Sequence, residues 1–233
     1  MGGRVVVALL APVAWSPPGV DLRAWRTALA EDVVDLLATL QQVETAVAVL
    51  PGDRWLADAV VWPGTTVYEV AEATPSAVLA LFDAPHAPDR PTVRAADAGT
   101  GAAAEPTAGA RQVYDQVAVI AGDAPDVPGL TIGKLLRPLT TRPVAVAPVE
   151  GDGSGLLGIA VRLPVPAWLP PVDLGTARPA ALRAAAPSPG DLAVTPAWRR
   201  LRGPADLAWL DPAVQGWEAT RALLSGSAHR AQS

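Results

Sequence analysis

The stretch QVAVIAGDAPDVP, residues 116–128, decides the fold of this chain. Its first part, Gln116–Ala121, has the length and apolar character of a strand that is covered on both faces. Gly122 and Asp123 follow directly, and Leu130–Leu139 then has the spacing of a helix. A buried strand that leads through a turn into a helix is typical of a parallel α/β sheet.

The same alternation extends in both directions from this stretch. Asp21 is a candidate N-cap for a long amphipathic helix that ends near Gln42. Further buried strands are predicted at Arg4–Leu10, Thr45–Leu50, Val144–Val149 and Leu156–Val161. Shorter strands are predicted at Val60–Trp62, Thr66–Val70 and Leu192–Thr195. Further helices are predicted at Pro75–Phe82, Ala177–Ala186 and Pro212–Leu224, and a helical turn at Pro204–Leu210. The order predicts an α/β, three-layer sandwich around a mostly parallel (mixed) sheet, similar to a Rossmann fold.

Composition excludes several classes of function. The 233 residues carry a formal net charge of −5, and no basic stripe is present, so we expect no nucleic-acid partner. The absence of Cys excludes thiolate chemistry, and the two His residues, His86 and His229, lie in segments of low predicted order. No apolar run reaches the ~20 residues of a membrane span. We therefore expect a cytoplasmic protein that does not bind membranes, with the apolar N-terminal run forming a strand rather than a signal peptide.

The chain is predicted to form a single α/β domain over residues 1–224. Residues 84–110 are rich in Pro, Ala and Gly and lack periodicity, so they are predicted to be a flexible loop within this domain. Residues 225–233 are predicted to be a frayed tail.

In an open α/β sheet, ligands bind outside the carboxyl ends of the strands. The loops 11–19, 122–128 and 150–155 are predicted to meet there. Asp123 suits a hard cation such as Mg²⁺, which prefers one or two carboxylates, and Gly122 lets the backbone approach a ligand closely. The alternative for Asp123 is an ordinary hydrogen bond within the turn, and the residues alone do not choose between the two.

Two other features of these loops bear on function. Asp152 lies among glycines that could bind an anion, but an Asp-Gly pair favours an ordinary β-hairpin turn. The first loop, residues 11–19, contains no Lys or Arg, although transfer chemistry on phosphates needs positive charge. Arg23 and Arg26 follow on the helix, where a solvated face is the more common role.

Several segments, in order along the chain, resemble the nucleotide-diphospho-sugar transferase (GT-A) superfamily, in particular a bacterial group of glycosyltransferase-like proteins. The most specific is VAVIAGDAPDVPGLTIGKLL, Val117–Leu136, which looks like a strand, a Gly-Asp-x-Pro turn and the following helix. The others are RVVVALLAP (Arg4–Pro12), AVAPVEGDGSGLLGIAV (Ala145–Val161) and RGPADLAWL (Arg202–Leu210).

This resemblance implies a GT-A fold and a set of site residues. Asp123 would hold Mg²⁺ or Mn²⁺ on the diphosphate of a nucleotide-activated donor, and Asp152 would be the second acidic residue, with a catalytic role. Ala11 and Pro12 of the first loop, together with Gly122, would bind the nucleotide.

Three hypotheses follow for the function. In the first, the protein is a metal-dependent glycosyltransferase or nucleotidyltransferase that acts on a nucleotide-activated small molecule. In the second, it is a catalytically inactive GT-A-like scaffold, a pseudoenzyme that acts in binding or assembly, because the first loop lacks basic residues. In the third, it is another doubly wound protein with a coincidental Gly-Asp-x-Pro turn.

A homodimer is a further expectation. Its candidate contacts are Leu163–Val172 and the C-terminal helix.

Overall fold

The computed structural model describes residues 3–83, 114–151 and 154–230, so the predicted flexible loop at 84–110 lies outside the described residues. The strands are β1 (Gly3–Leu9), β2 (Glu44–Val49), β3 (Thr66–Glu69), β4 (Tyr114–Ala121), β5 (Val144–Pro148), β6 (Leu156–Arg162) and β7 (Leu192–Val194). The helices are α1 (Leu22–Ala38), α2 (Arg54–Val60), α3 (Pro75–Asp83), α4 (Gly129–Leu136), α5 (Pro179–Ala185) and α6 (Glu218–Arg230). Short 3₁₀ turns lie at Pro51–Asp53, Arg137–Thr140 and Pro204–Trp209.

The strands form one sheet in the order β3-β2-β1-β4-β6-β5-β7. All neighbouring pairs are parallel except those that involve β6, which is antiparallel to both β4 and β5. The predicted mostly parallel, mixed sheet is therefore confirmed. Because β6 alone is reversed, the carboxyl ends of β1, β4 and β5 and the start of β6 lie at the same edge of the sheet.

Each face of the sheet is covered by its own helices, which confirms the three-layer sandwich. On one face, α1, α2 and α4 pack over alternate strand residues such as Val6, Val47 and Ile120. On the other face, α3, α5 and the segment 163–174 pack over the remaining strand residues, which alternate with the first set, such as Val7 and Val119. The period of two along each strand divides the apolar side chains between the two faces.

A third apolar cluster lies beside the carboxyl edge of the sheet. Trp25 and Leu29 of α1 pack there with Val20 and Leu201, and Leu223 of α6 contacts the same group. The buried Asp32 of α1 accepts hydrogen bonds at 2.9 Å from the backbone N–H groups of Ala219 and Thr220, in the first turn of α6. An acceptor at this position satisfies N–H groups that a helix start leaves unpaired, and it fixes α6 against α1.

Two elements differ from those predicted. Val60–Trp62, predicted as a strand, contains instead the end of α2, because Pro51 starts a turn that continues directly into that helix. The C-terminal helix begins at Glu218 rather than near Pro212, since Gly216 has a φ of +95°, which a helix does not allow. It continues to Arg230, beyond residue 225, where a frayed tail was predicted.

Within the described ranges, no helix combines the length and the hydropathy that a membrane crossing requires.

Candidate functional site

The carboxyl edge of the sheet brings together the three loops that the sequence singled out. The first loop follows β1, the Gly122–Pro128 turn follows β4, and the turn between β5 and β6 lies on the same edge because β6 is antiparallel to β5. A further segment, residues 198–202, runs along this edge: Val149 forms a parallel bridge with Trp198, whose carbonyl accepts the N–H of Glu150. This fourth segment was not part of the predicted site.

Asp123 is bound by Arg200 through two parallel hydrogen bonds. Arg200 Nε donates to Asp123 Oδ1 at 2.6 Å, and Nη2 donates to Oδ2 at 2.9 Å. Nη1 of the same guanidinium donates to the carbonyl oxygens of Leu156 and Leu174 at 3.0 and 2.9 Å. The Arg200 side chain is only 8% exposed. A bidentate pair of this kind is among the strongest polar contacts in proteins, and both oxygens of Asp123 take part in it.

Burial and the carboxylate act in opposite directions on Arg200. Desolvation lowers the pKa of its guanidinium, but the charge and the hydrogen bonds of Asp123 more than offset this, so that the pKa is raised above its usual value. The Arg200 guanidinium therefore keeps its positive charge although it is buried.

Asp126, three residues after Asp123, forms a second ion pair with Arg199, the residue directly before Arg200. Arg199 Nε donates to Asp126 Oδ2 at 2.6 Å, and the Asp126 side chain is 1% exposed. The indole of Trp198 donates to Oδ1 at 3.3 Å and lies under the Arg199 guanidinium. The two acidic residues of the turn are thus matched, one to one, by two consecutive arginines.

Backbone and indole hydrogen bonds connect the loops through the 198–202 segment. The N–H of Leu201 donates to the carbonyl of Asp123 at 2.8 Å. The indole of Trp15, in the first loop, donates to the carbonyl of Leu201 at 3.3 Å and its ring packs against Trp25. The loops therefore form one connected surface.

A cavity of about 250 Å³ opens beside the Asp123–Arg200 pair. Arg202 is exposed there, and its Nη1 donates a long hydrogen bond of 3.5 Å to the Ser154 carbonyl. Trp209 is 64% exposed, and Glu150 is exposed on the opposite loop. The lining consists of Val149, Glu150, Gly151, Arg199, Arg200, Arg202, Asp206 and Trp209. An anionic group, a hydroxyl donor and an apolar ring face would each find a partner in this cavity.

The predicted nucleotide loop is an exposed loop with an apolar base. Ala11 is half-buried and Pro12 exposed, while Val13 and Trp15 pack on the third apolar cluster. Arg23 and Arg26, the next basic residues along the chain, are turned toward α2 and the 3₁₀ turn before it. Arg23 stacks on Trp55 at 3.8 Å, and Arg26 pairs with Asp53 at 2.8 Å.

Gly122 has a packing role at the end of β4. A Cβ atom there would lie 2.6 Å from Leu10 Cδ2 and 3.1 Å from the carbonyl oxygen of Leu9. Both contacts belong to β1 and the residue after it, so the close approach that glycine allows is to the neighbouring strand. Binding of a nucleotide by Gly122 stays a prediction.

Asp152 lies outside the described residues, and its predicted catalytic role stays a prediction. The turn that contains it joins the antiparallel strands β5 and β6, in which Ala147 pairs with Gly158 and Pro148 with Leu156. The flanking strands are antiparallel neighbours, as in a β-hairpin, while the turn predicted at Asp152 and Gly153 stays a prediction.

Solved structures share this architecture over nearly the whole chain. A protein of Desulfovibrio desulfuricans G20 assigned as a nucleotide-diphospho-sugar transferase superposes with a TM-score of 0.56 at 17% identity, over 97% of this chain and 99% of that one. The 4-diphosphocytidyl-2C-methyl-D-erythritol synthase of Anaerococcus prevotii DSM 20548 gives a TM-score of 0.53 at 7% identity, over 96% of each chain. The chain has the GT-A-like fold of the nucleotide-diphospho-sugar transferases. No sequence-family model matches it, and no curated protein sequence does.

In this GT-A-like fold, the residues around Asp123 do not fit a metal ion. Mg²⁺ needs near-octahedral oxygen ligands. Both Asp123 oxygens, however, already accept N–H groups from the Arg200 guanidinium, whose positive charge lies where the metal ion would bind. Among the described residues, no group of three or more His, Cys, Asp or Glu side chains is placed to hold a metal. Asp123 as a metal ligand stays a prediction, and it would require Arg200 to move away.

The arginines and the exposed tryptophan of this candidate site were not identified from the sequence. The signal that could have found them is the run Trp198–Arg202, WRRLR, which holds three of the chain's arginines in five residues. It overlaps at Arg202 with RGPADLAWL (Arg202–Leu210), one of the segments on which the resemblance rests. Basic residues missing from the first loop are therefore present at the same edge, from a segment late in the chain.

Proposed function

We propose that the protein binds a nucleotide-activated small molecule at the carboxyl edge of its GT-A-like sheet and transfers a group from it, as a glycosyltransferase or nucleotidyltransferase. The observation that carries this proposal is the cavity beside the Asp123–Arg200 pair, where Arg202, Trp209 and Glu150 face a common space. Ligands of open α/β sheets bind at this edge.

The side chains of the cavity suit a hydroxylated ligand with an anionic group. Arg202 could form charge-assisted hydrogen bonds with a phosphate or carboxylate. Glu150 could accept hydrogen bonds from hydroxyl groups, and the ring of Trp209 offers an apolar face to a sugar or a base. The exposed first loop, with Ala11 and Pro12, borders the same edge and is the place for the nucleotide.

The metal in the first hypothesis is the part that the geometry supports least. Because Arg200 already neutralises Asp123, transfer by this protein would depend on arginine rather than on Mg²⁺ or Mn²⁺ at that carboxylate to offset negative charge.

A second candidate function is binding or assembly without catalysis. The observation that favours it is that Asp123 and Asp126 are both committed to ion pairs, so neither carboxylate of the turn is positioned as a general base. In this case the site would bind the ligand without turning it over.

Thermal unfolding in the presence of a panel of nucleoside triphosphates and nucleotide sugars tests the proposal. Saturable stabilisation by one of them supports binding, because a ligand that binds only the folded state raises its melting temperature. Arg202→Gln should remove this shift, whereas Arg183→Gln, an exposed arginine of α5 that does not line the cavity, should retain it.

Incubation of the stabilising nucleotide with the protein then separates the two candidates. Release of pyrophosphate or of a nucleoside diphosphate, with candidate acceptors present, supports a transferase. Binding without turnover supports the second candidate. No stabilisation by any nucleotide would contradict both forms of the proposal.

The homodimer also remains a proposal. Within the chain, Leu163, Val165 and Trp168 already pack against one face of the sheet, and α6 packs on α1. A dimer would therefore have to use the outer surfaces of these segments. Sedimentation equilibrium of the purified protein would test it.

A further inference from the structure

The guanidinium of Arg200 is used almost completely by contacts within the protein. Two of its nitrogens bind the Asp123 carboxylate, and the third bridges the carbonyl oxygens of Leu156 and Leu174. These carbonyls belong to the start of β6 and to the segment that covers one face of the sheet. Arg200 therefore holds three parts of the chain together around Asp123, and it is buried while doing so.

Both carboxylates of the turn after β4 already have a cationic partner without a metal ion. Asp123 and Asp126 contribute two negative charges to the turn after β4, and Arg200 and Arg199 contribute two positive charges. A divalent cation bound to Asp123 would lie within a few ångströms of the Arg200 guanidinium. Like charges at such a distance repel strongly in a partly buried site.

We infer that Arg200 takes the place of a divalent cation at Asp123, so that ligands bind at this edge of the sheet without a metal ion on that carboxylate. The inference rests on the proposed function, since it specifies which group neutralises Asp123 when a ligand binds at that site. Arg200 is a positioning residue: it neutralises Asp123 and fixes the floor of the cavity, and it does not itself bind the ligand.

The positive charge that a ligand meets then comes from Arg202. Its guanidinium is exposed in the cavity, and the described ion pairs do not include it. Asp206 and Glu150 also face the cavity; Asp206 accepts the backbone N–H groups of Arg202 and Gly203 through one oxygen. The cavity thus offers the exposed side chain of Arg202 to an anionic group and carboxylate oxygens to hydroxyl groups.

Electron paramagnetic resonance with Mn²⁺ alone tests this inference without any nucleotide. We expect wild-type protein either to bind no Mn²⁺ or to bind it equally well in Asp123→Asn. Asp126→Asn is the matched control, since it removes a charge from the other ion pair of the same turn. Arg200→Met should gain Mn²⁺ affinity by about tenfold or more, because it exposes the Asp123 carboxylate.

Mn²⁺ binding to wild-type protein that is lost in Asp123→Asn and retained in Asp126→Asn would overturn the inference. If Arg200→Met does not fold, the comparison of wild type with Asp123→Asn still decides.

A second arm compares nucleotide affinity in EDTA and in Mn²⁺. The inference predicts affinities that differ by less than about tenfold. A gain of more than that in Mn²⁺ that disappears in Asp123→Asn would contradict it. Absence of nucleotide binding under both conditions would contradict the proposed function. The comparison of Mn²⁺ binding between wild type and Asp123→Asn would still decide whether Asp123 binds a metal ion.

Discussion

Asp123 and Arg200, 77 residues apart in the chain, are joined by two hydrogen bonds at 2.6 and 2.9 Å at the carboxyl edge of the sheet. The pair links the turn after β4 to the segment before the last 3₁₀ turn, and the remaining guanidinium nitrogen links it to Leu156 and Leu174. It is therefore both the centre of the candidate site and a structural connection.

Arg200→Met should destabilise the protein by about 3–5 kcal/mol, because it leaves a partly buried carboxylate and two carbonyl oxygens without their donor. Urea denaturation monitored by circular dichroism would measure this loss. Arg202→Met is the control on the same segment, and it should change stability by less than about 0.5 kcal/mol, since that side chain is exposed. Equal effects of the two substitutions would contradict the structural role of Arg200.

The second ion pair, between Asp126 and Arg199, should show energetic coupling. A double-mutant cycle with Asp126→Asn and Arg199→Gln is expected to give a coupling energy of about 0.5–3 kcal/mol, because the Asp126 carboxylate is buried and in direct contact with Arg199. Chemical denaturation of the four proteins provides the measurement. Strict additivity would show that the two side chains do not interact in solution.

Gly122→Ala should lower stability by about 1–3 kcal/mol, because the added methyl group would overlap Leu10 and approach the Leu9 carbonyl. Gly133→Ala is the matched control. Gly133 lies inside α4 with open space around its Cα, so alanine there should be neutral or stabilising by up to about 1 kcal/mol. Equal stabilities of Gly122→Ala and Gly133→Ala would contradict the close packing of Gly122 against Leu9 and Leu10.

Asp32 should titrate above the ordinary value of an aspartate, because burial raises its pKa and outweighs the hydrogen bonds from the start of α6. The folded protein then binds a proton more readily than the unfolded chain, so the contribution of Asp32 to stability is largest below pH ~3.9. It is lost as the pH rises through the raised pKa. A ¹³C NMR titration of the Asp32 carboxyl carbon would show this, and a midpoint at or below that of an unfolded aspartate would contradict it.

Stability differences across pH give a second readout of Asp32. Wild-type protein should lose stability relative to Asp32→Asn as the pH rises from 4 to 7, in the direction set by the raised pKa. Asp35→Asn, on the more exposed side of the same helix, serves as the control for changing one charge on α1. A constant difference between wild type and Asp32→Asn would contradict the shift.

Local patterns were sufficient to predict the layers of the fold and the position of Asp123. Continuous apolar runs such as Gln116–Ala121 indicate strands buried on both faces, and their alternation with helices sets the direction of the strands. Asp123 follows such a strand, so its place at the carboxyl edge required no knowledge of tertiary contacts.

The partners of Asp123 could not be predicted in this way. Arg200 lies beside it because β7 and the residues up to Trp198 run alongside β5, and no local pattern encodes this pairing. The error at Val60–Trp62 has a similar origin. Its β-branched and aromatic residues favour a strand, but the helix that starts at Arg54 continues through Val60 and packs on the sheet.

The central claim is that a nucleotide-activated ligand binds in the cavity beside Asp123 and Arg200 without a metal ion at Asp123. The most direct measurement is the indole N–H resonance of Trp209 in a ¹⁵N NMR titration with the stabilising nucleotide in EDTA, assigned with Trp209→Phe. We predict a saturable shift of this resonance, while Trp62, an exposed tryptophan bonded to Asp35 near the end of α1, does not change. An unchanged Trp209 resonance at saturating nucleotide, or a shift that requires Mn²⁺ and disappears in Asp123→Asn, would contradict the claim.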